Sequence, residues 1–215
     1  MGSNGNAIEL HGLVKTFGQD TVLRGIDHGF ERGKIHGVVG NNGSGKTVMF
    51  KCICGFMQPT EGFVLVDGRR IGRDIDFPED IGLIIETPGF LPYISGIRNL
   101  EILASLKRRI GIRQAADAMR RVGLDPLSPK PVGRYSLGMR QRLGIAQAIM
   151  EEPKLLILDE PMNGLDKNGV REMRGLFRSL AEEGRTILLA SHNAADIDSL
   201  CDTVCEMDAG RMTML

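Results

Sequence analysis

The chain has 215 residues, 42% of them hydrophobic, with 27 basic and 27 acidic side chains and no formal net charge. That length fits one domain, or one core carrying an insertion, with apolar residues enough for a proper interior. The even charge argues against a nucleic-acid partner, which a basic surplus would announce. No apolar run reaches the roughly 18 residues that a membrane span needs.

In chain order, the opening MGSNGN is polar and glycine-rich; it reads as a cloning remnant and not as a signal peptide. Strand-like runs separated by turn residues follow over Ala7–Phe17, Val22–Phe30 and Lys34–Val39. A glycine-rich loop leads into a helix over Gly45–Cys54, and GFVLVDG and Ile81–Glu86 return to strand. From Pro88 to Met150 the strand pattern fades, and the segment reads as helices, among them Gly96–Lys107 and Arg113–Val122. A further helix starts at YSLGM, capped by Ser136, with an apolar face through Leu143, Ala146, Ile149 and Met150. Strand Lys154–Leu158, helix Gly169–Glu183, strand Thr186–Ala190, helix Asn193–Leu200 and strand Thr203–Met207 then alternate. Strands alternating with helices imply a parallel sheet with buried strands. The expected fold is α/β, a single domain over residues 1–215 with β additions at the front and a helical insertion at 88–150. Cys52, Cys54, Cys201 and Cys205 are too few for a disulfide scaffold and read as reduced thiols of a cytosolic protein.

The chemistry starts at GNNGSGKT, Gly40 to Thr47, after the apolar strand IHGVV and at the start of a helix. That context is the one a P-loop requires. Glycines let successive N–H groups turn inward and, with the helix N-terminus, form an anion site. Lys46 is placed to reach terminal phosphates and Thr47 to hold Mg²⁺ through its hydroxyl. In LLILDEP, four apolar residues bring Asp159 and Glu160 to the carboxyl end of a strand, where ligands of open α/β sheets sit. Adjacent carboxylates there are costly unless a cation or a water uses them. Asp159 is expected to hold Mg²⁺ through water, and Glu160 to polarise the water that attacks the terminal phosphate.

With these motifs in this order, the chain resembles the ATP-binding cassette (ABC) ATPases over nearly its whole length. NGLD, Asn163 to Asp166, is similar to that family's D-loop, and His192 in LLASHN to its switch histidine. YSLGM occupies the place of the signature motif usually written LSGGQ. The resemblance implies a P-loop NTPase core with a parallel sheet, an N-terminal antiparallel β subdomain and an inserted helical subdomain. It implies ATP bound by Gly40, Asn41, Asn42, Gly43, Ser44, Gly45, Lys46, Thr47 and Val48, with Phe17 either stacked on adenine or simply a core residue. Ser136 and Gly138 would reach the phosphates of ATP on a second copy, and Asp166, beyond capping a helix, would face that copy. His192 would contact the γ-phosphate. The partners implied are that second copy and an integral-membrane permease on a separate chain, at the cytoplasmic face of the cell membrane. Phe90, Leu91 and Tyr93 are either packing residues or the border of the groove that meets the permease. Family members often continue beyond AGRMTML.

Two departures stand out. Glu86, in LIIETPGF, stands where the family usually has a Gln that contacts Mg²⁺ and water. Leu137 and Met139 replace Gly and Gln of the signature, while Ser136 and Gly138 are kept. With these features the chain is similar to the ATPases of bacitracin-type and lantibiotic-immunity exporters, which implies export of a peptide antibiotic or drug. Soluble ABC proteins of DNA repair or translation usually carry a long coiled coil or tandem cassettes, and neither appears here. A regulatory module without catalysis is disfavoured by intact Lys46, Asp159 and Glu160. A small GTPase is disfavoured because the chain has no Asn-Lys-x-Asp motif.

Overall fold

The structure, a computed structural model, describes residues 5–86, 89–192 and 194–215. Pro88, the expected first residue of the insertion, and Asn193, the expected start of a helix, lie outside the described residues.

Two sheets carry the fold. Strands β1 (Asn6–Phe17), β2 (Asp20–Glu31), β4 (Glu61–Val66) and the short β5 (Arg69–Arg70) form a four-stranded sheet in the order β2-β1-β4-β5. Its pairings are antiparallel, with irregularities in the long β1–β2 ribbon. The second sheet has the order β10-β9-β3-β8-β7-β6. It uses β3 (Ile35–Val39), β6 (Ile81–Ile84), β7 (Leu155–Asp159), β8 (Thr186–Ala190), β9 (Thr203–Asp208) and β10 (Arg211–Met214). Five of these run parallel, and β10 turns back antiparallel on β9. The expected elements are present with ends shifted by a residue or two. The two short strands β5 and β10 were not expected.

Alternation explains how the parallel sheet buries both faces. Leu155, Ile157, Leu188 and Ala190 face a cluster with helix α1 (Lys46–Ile53) and the apolar face of the antiparallel sheet, including Ile8, Leu10, Phe30, Met49 and Phe50. Their neighbours Leu156, Leu158, Ile187 and Leu189 face the other way, toward the helices. That layer holds α2 (Gly96–Lys107), α3 (Ile112–Arg121), α4 (Leu137–Ile149), α5 (Lys167–Glu182) and α6 (Ala194–Leu200). The helix α1 is thus sandwiched between two sheets, which leaves its N-terminus one fixed direction.

Between residues 89 and 150 the chain forms α2, α3 and α4, joined by turns and with a 3₁₀ turn at Val132–Arg134 before α4. The Ser136 hydroxyl accepts from Met139 N–H at 3.1 Å, capping α4 as expected, and Leu143, Ala146, Ile149 and Met150 are buried. Buried Asn99 ties the entry to the insertion by accepting from Leu91 N–H at 2.8 Å and donating to the Leu91 and Ser95 carbonyls. Among the described residues no helix is long and apolar enough to cross a membrane. All four cysteines are free thiols. Burial pushes Cys52 and Cys205 up to about 11 and Cys54 and Cys201 up to about 12, with the Asp202 and Asp198 charges adding at Cys201.

Phe177 on α5 is wholly buried against the helical face of the sheet. Phe177→Ala is expected to cost about 3–5 kcal/mol of unfolding free energy in urea denaturation. A loss under about 1 kcal/mol would show that this ring does not lock α5 to the sheet.

Candidate functional site

Parallel pairing brings four strand ends together. Val38 of β3 and Asp159 of β7 both pair with Ala190 of β8, and β6 lies beside β7. The segments leaving these ends carry the P-loop, Glu86, Glu160 and His192. Such a carboxyl edge is where an open α/β sheet receives its ligand. A cavity of ≈ 550 Å³ opens there, lined by Asn42, Gly43, Gly45, Lys46, Thr47 and Val48 on one side and by Glu86, Asp159 and Glu160 on another.

The loop is shaped by its first glycine. Gly40 has φ 153°, and a Cβ there would lie 2.2 Å from the Met207 carbonyl oxygen of β9. A side chain would therefore push the loop off the sheet. Lys46 is buried, and its ammonium donates to the carbonyls of Gly40 at 2.7 Å and Asn41 at 3.1 Å. A buried ammonium needs such partners, and these belong to the loop itself. The Ser44 hydroxyl is buried in the same loop and has no hydrogen-bond partner among the described residues.

Opposite the loop, acids converge. Thr47 Oγ1 donates to Asp159 Oδ2 at 2.5 Å. Burial pushes the Asp159 carboxyl up, as do the Glu160 and Glu86 charges, against the pull of the Thr47 hydrogen bond and the Lys46 ammonium. A buried carboxyl raised by neighbouring acidic side chains marks a place that favours a cation, and carboxylate and hydroxyl oxygens are hard donors that suit Mg²⁺. No group of three His, Cys, Asp or Glu side chains among the described residues gathers into a metal site of its own. A magnesium ion bound with nucleotide draws on one or two carboxylates plus phosphates.

Glu160 Oε2 lies 2.8 Å from His192 Nδ1. An ionised carboxylate only accepts, so Nδ1 carries the proton in this contact. Glu160 has φ 50° and Glu86 φ 64°, a left-handed backbone that non-glycine residues seldom adopt and that clusters at functional sites. The Glu160 N–H donates to the Ala190 carbonyl at 3.0 Å. Gln141 of α4 donates to the Glu160 carbonyl at 3.2 Å and the Pro161 carbonyl at 2.9 Å. The catalytic candidate is thus held from both β8 and α4. Glu86 is ion-paired to Lys51 at 2.5 Å.

The remaining expected residues sit further out. Phe17 ends β1 with its ring 44% exposed and the Lys15 ammonium 5.2 Å from the ring centre. Asp166 caps α5 by accepting from Gly169 N–H at 2.7 Å. Ser136 is exposed and does not line the cavity, whereas Leu137, Arg140 and Gln141 do. Gly138 has a reason within its own chain: a Cβ there would lie 3.1 Å from the Gly164 carbonyl. Phe90 is partly buried against the core, while Tyr93 and Leu91 are exposed. Sequence reasoning missed Lys51 and Gln141, whose contacts join segments far apart in the chain.

A phosphate loop, a hydroxyl–carboxylate pair and a carboxylate–histidine pair around one cavity define a nucleotide site of the P-loop class. Comparison with known proteins narrows it. The sequence profile described as ABC transporter matches residues 23–163. An uncharacterized ABC transporter ATP-binding protein of Bacillus subtilis, YybJ, is 42% identical over 205 residues, 95% of this chain and 94% of its own. The bacitracin transport ATP-binding protein BcrA of Enterococcus faecalis is 42% identical over 207 residues, 95% of this chain and 67% of its own. The solved structure of cbiO1 from Clostridium perfringens, part of the ABC transporter complex cbiONQ, has a TM-score of 0.84 over 98% of this chain and 88% of its own, at 29% identity. The chain belongs to the ABC transporter family, as an ATP-binding cassette that hydrolyses ATP.

Gly40→Ala is expected to lower affinity for a fluorescent ATP analogue at least about tenfold, because the side chain forces the loop away from β9. Unchanged affinity would show that the loop tolerates that displacement.

Proposed function

We propose that this chain is the ATPase of a peptide-antibiotic or drug exporter, working as an ATP-dependent pair of copies on a separate membrane permease. The observation that carries the reading is the cavity where Lys46, Thr47, Asp159 and Glu160 meet. The likeness to BcrA, a bacitracin transport protein by name, supports the cargo class. The permease would place the pair at the cytoplasmic face of the membrane.

In this reading the loop N–H groups of residues 40–48 take the phosphates, with the Ser44 hydroxyl as an added donor. Lys46 exchanges its loop carbonyls for phosphate oxygens. Phe17 stacks on adenine. Thr47 and Asp159, with Glu86 near them, would hold Mg²⁺, which would offset the negative charge of the nucleotide's phosphates. Glu160 takes a proton from the water that attacks the γ-phosphate, and His192 keeps the Glu160 carboxylate aimed while contacting the γ-phosphate.

The signature residues point to a second copy. That Ser136 is exposed and off the chain's own cavity supports a phosphate for its hydroxyl coming from a second copy. Each site would then join the P-loop of one copy to Ser136 and Gly138 of the other, with Asp166 along the seam. ATP binds the halves together and hydrolysis releases them, which turns binding energy into motion of the helical insertion.

Glu160→Gln is expected to bind ATP normally, to hydrolyse it roughly 10²–10⁴-fold more slowly, and to accumulate as an ATP-bound dimer in gel filtration. Hydrolysis at the normal rate would sink the role given to Glu160. Ser136→Arg is expected to spare ATP binding by the single chain and to abolish that dimer. An unchanged dimer would refute the shared site, and Lys46→Ala serves as the binding-deficient control.

A further inference from the structure

One charged contact at the cavity is left unused by this reaction. The Lys51 ammonium donates to Glu86 Oε1 at 2.5 Å. Glu86 lines the cavity, and its charge reaches Asp159, where it helps to raise the carboxyl. Lys51 and Thr47 are four residues apart on α1. That spacing puts them on one helix face, about one turn of ~5.4 Å apart, and side chains lean toward the helix N-terminus, so Lys51 reaches toward Thr47. Within the pair, the Lys51 side chain is 28% exposed and that of Glu86 65%. The lysine is the anchored member and the glutamate the one free to swing.

We propose that Lys51 is a positioning residue for Glu86. It holds the carboxylate at an ammonium that lies about one helical turn along α1 from Thr47, so the metal–nucleotide complex must compete with that ammonium for it. The inference rests on the proposed approach of Glu86 to Mg²⁺. A neutral amide at position 86 would hold the ammonium less firmly, so the competition is a property of the acid. An ordinary exposed ion pair at a helix end is worth little and would not couple to the metal.

The test is a four-protein cycle of wild type, Lys51→Met, Glu86→Gln and the double variant, titrated with Mg²⁺ in the presence of a fluorescent ADP analogue. With Glu86 present, Lys51→Met frees the carboxylate, and the half-saturating Mg²⁺ concentration is expected to fall about threefold or more. In the Glu86→Gln background, the same substitution is expected to move it less than about 1.5-fold. Lys51→Arg is expected to behave as wild type, and Lys51→Gln serves as a second neutral variant should Lys51→Met fold poorly. Equal shifts in both backgrounds, or no shift in either, overturn the positioning role alone when Glu86→Gln itself alters the Mg²⁺ dependence. A Glu86→Gln protein with unchanged Mg²⁺ dependence overturns the Glu86 reading and the positioning role with it.

Discussion

Pairing of β3 with β8 and of β8 with β7 sets the spacing between the phosphate loop and the acids opposite it. Every other part of the site hangs on that register. The loop leaves β3, the Asp159–Glu160 pair ends β7, and His192 follows β8. A slip of one residue along β8 would turn its side chains to the wrong face and also part His192 from Glu160. Burial on both faces of these strands makes such a slip expensive, since Leu155–Leu158 of β7 and Ile187–Ala190 of β8 alternate between two apolar clusters. The stability of the sheet and the accuracy of the site therefore have one cause.

Charge is the second constraint. The cavity gathers Asp159, Glu160 and Glu86, and the side chains that face them are each engaged. Lys46 is held by loop carbonyls, Lys51 by Glu86, and His192 leans on Glu160. Within the chain these partners satisfy one another piece by piece, at the expense of a raised Asp159. Nucleotide and metal together would redistribute these partners, with the phosphates taking Lys46 and the metal relieving the carboxylates.

Much of the fold was legible because its signals are local. The P-loop glycines, the apolar run before Asp159 and the caps at Ser136 and Asp166 each declare themselves within a few residues. The strands β5 and β10 were not legible, since 2 and 4 residues carry no usable period. Lys51 with Glu86 and Gln141 with the Glu160 carbonyl are side-chain contacts across 35 and 19 residues, which periodicity does not encode. Gly138 is instructive. The family resemblance implies a phosphate contact there, and the structure adds a close Gly164 carbonyl. The signature turn and the turn before α5 touch within one chain, so a displacement of either is felt by the other.

The buried thiols have a practical consequence. With pKa values of about 11 or 12, Cys52, Cys54, Cys201 and Cys205 stay almost wholly protonated near neutral pH, and the thiol form reacts poorly with electrophiles. Cys52, Cys54 and Cys205 are also buried while Cys201 is half-buried, so the slow maleimide labelling of the native chain is expected at Cys201 first. A single cysteine introduced on the exposed surface of the helical insertion would take a fluorophore selectively, without first stripping the native cysteines from the core. Opening and closing of an assembled pair then becomes a distance that can be followed in time, on protein whose interior packing is untouched.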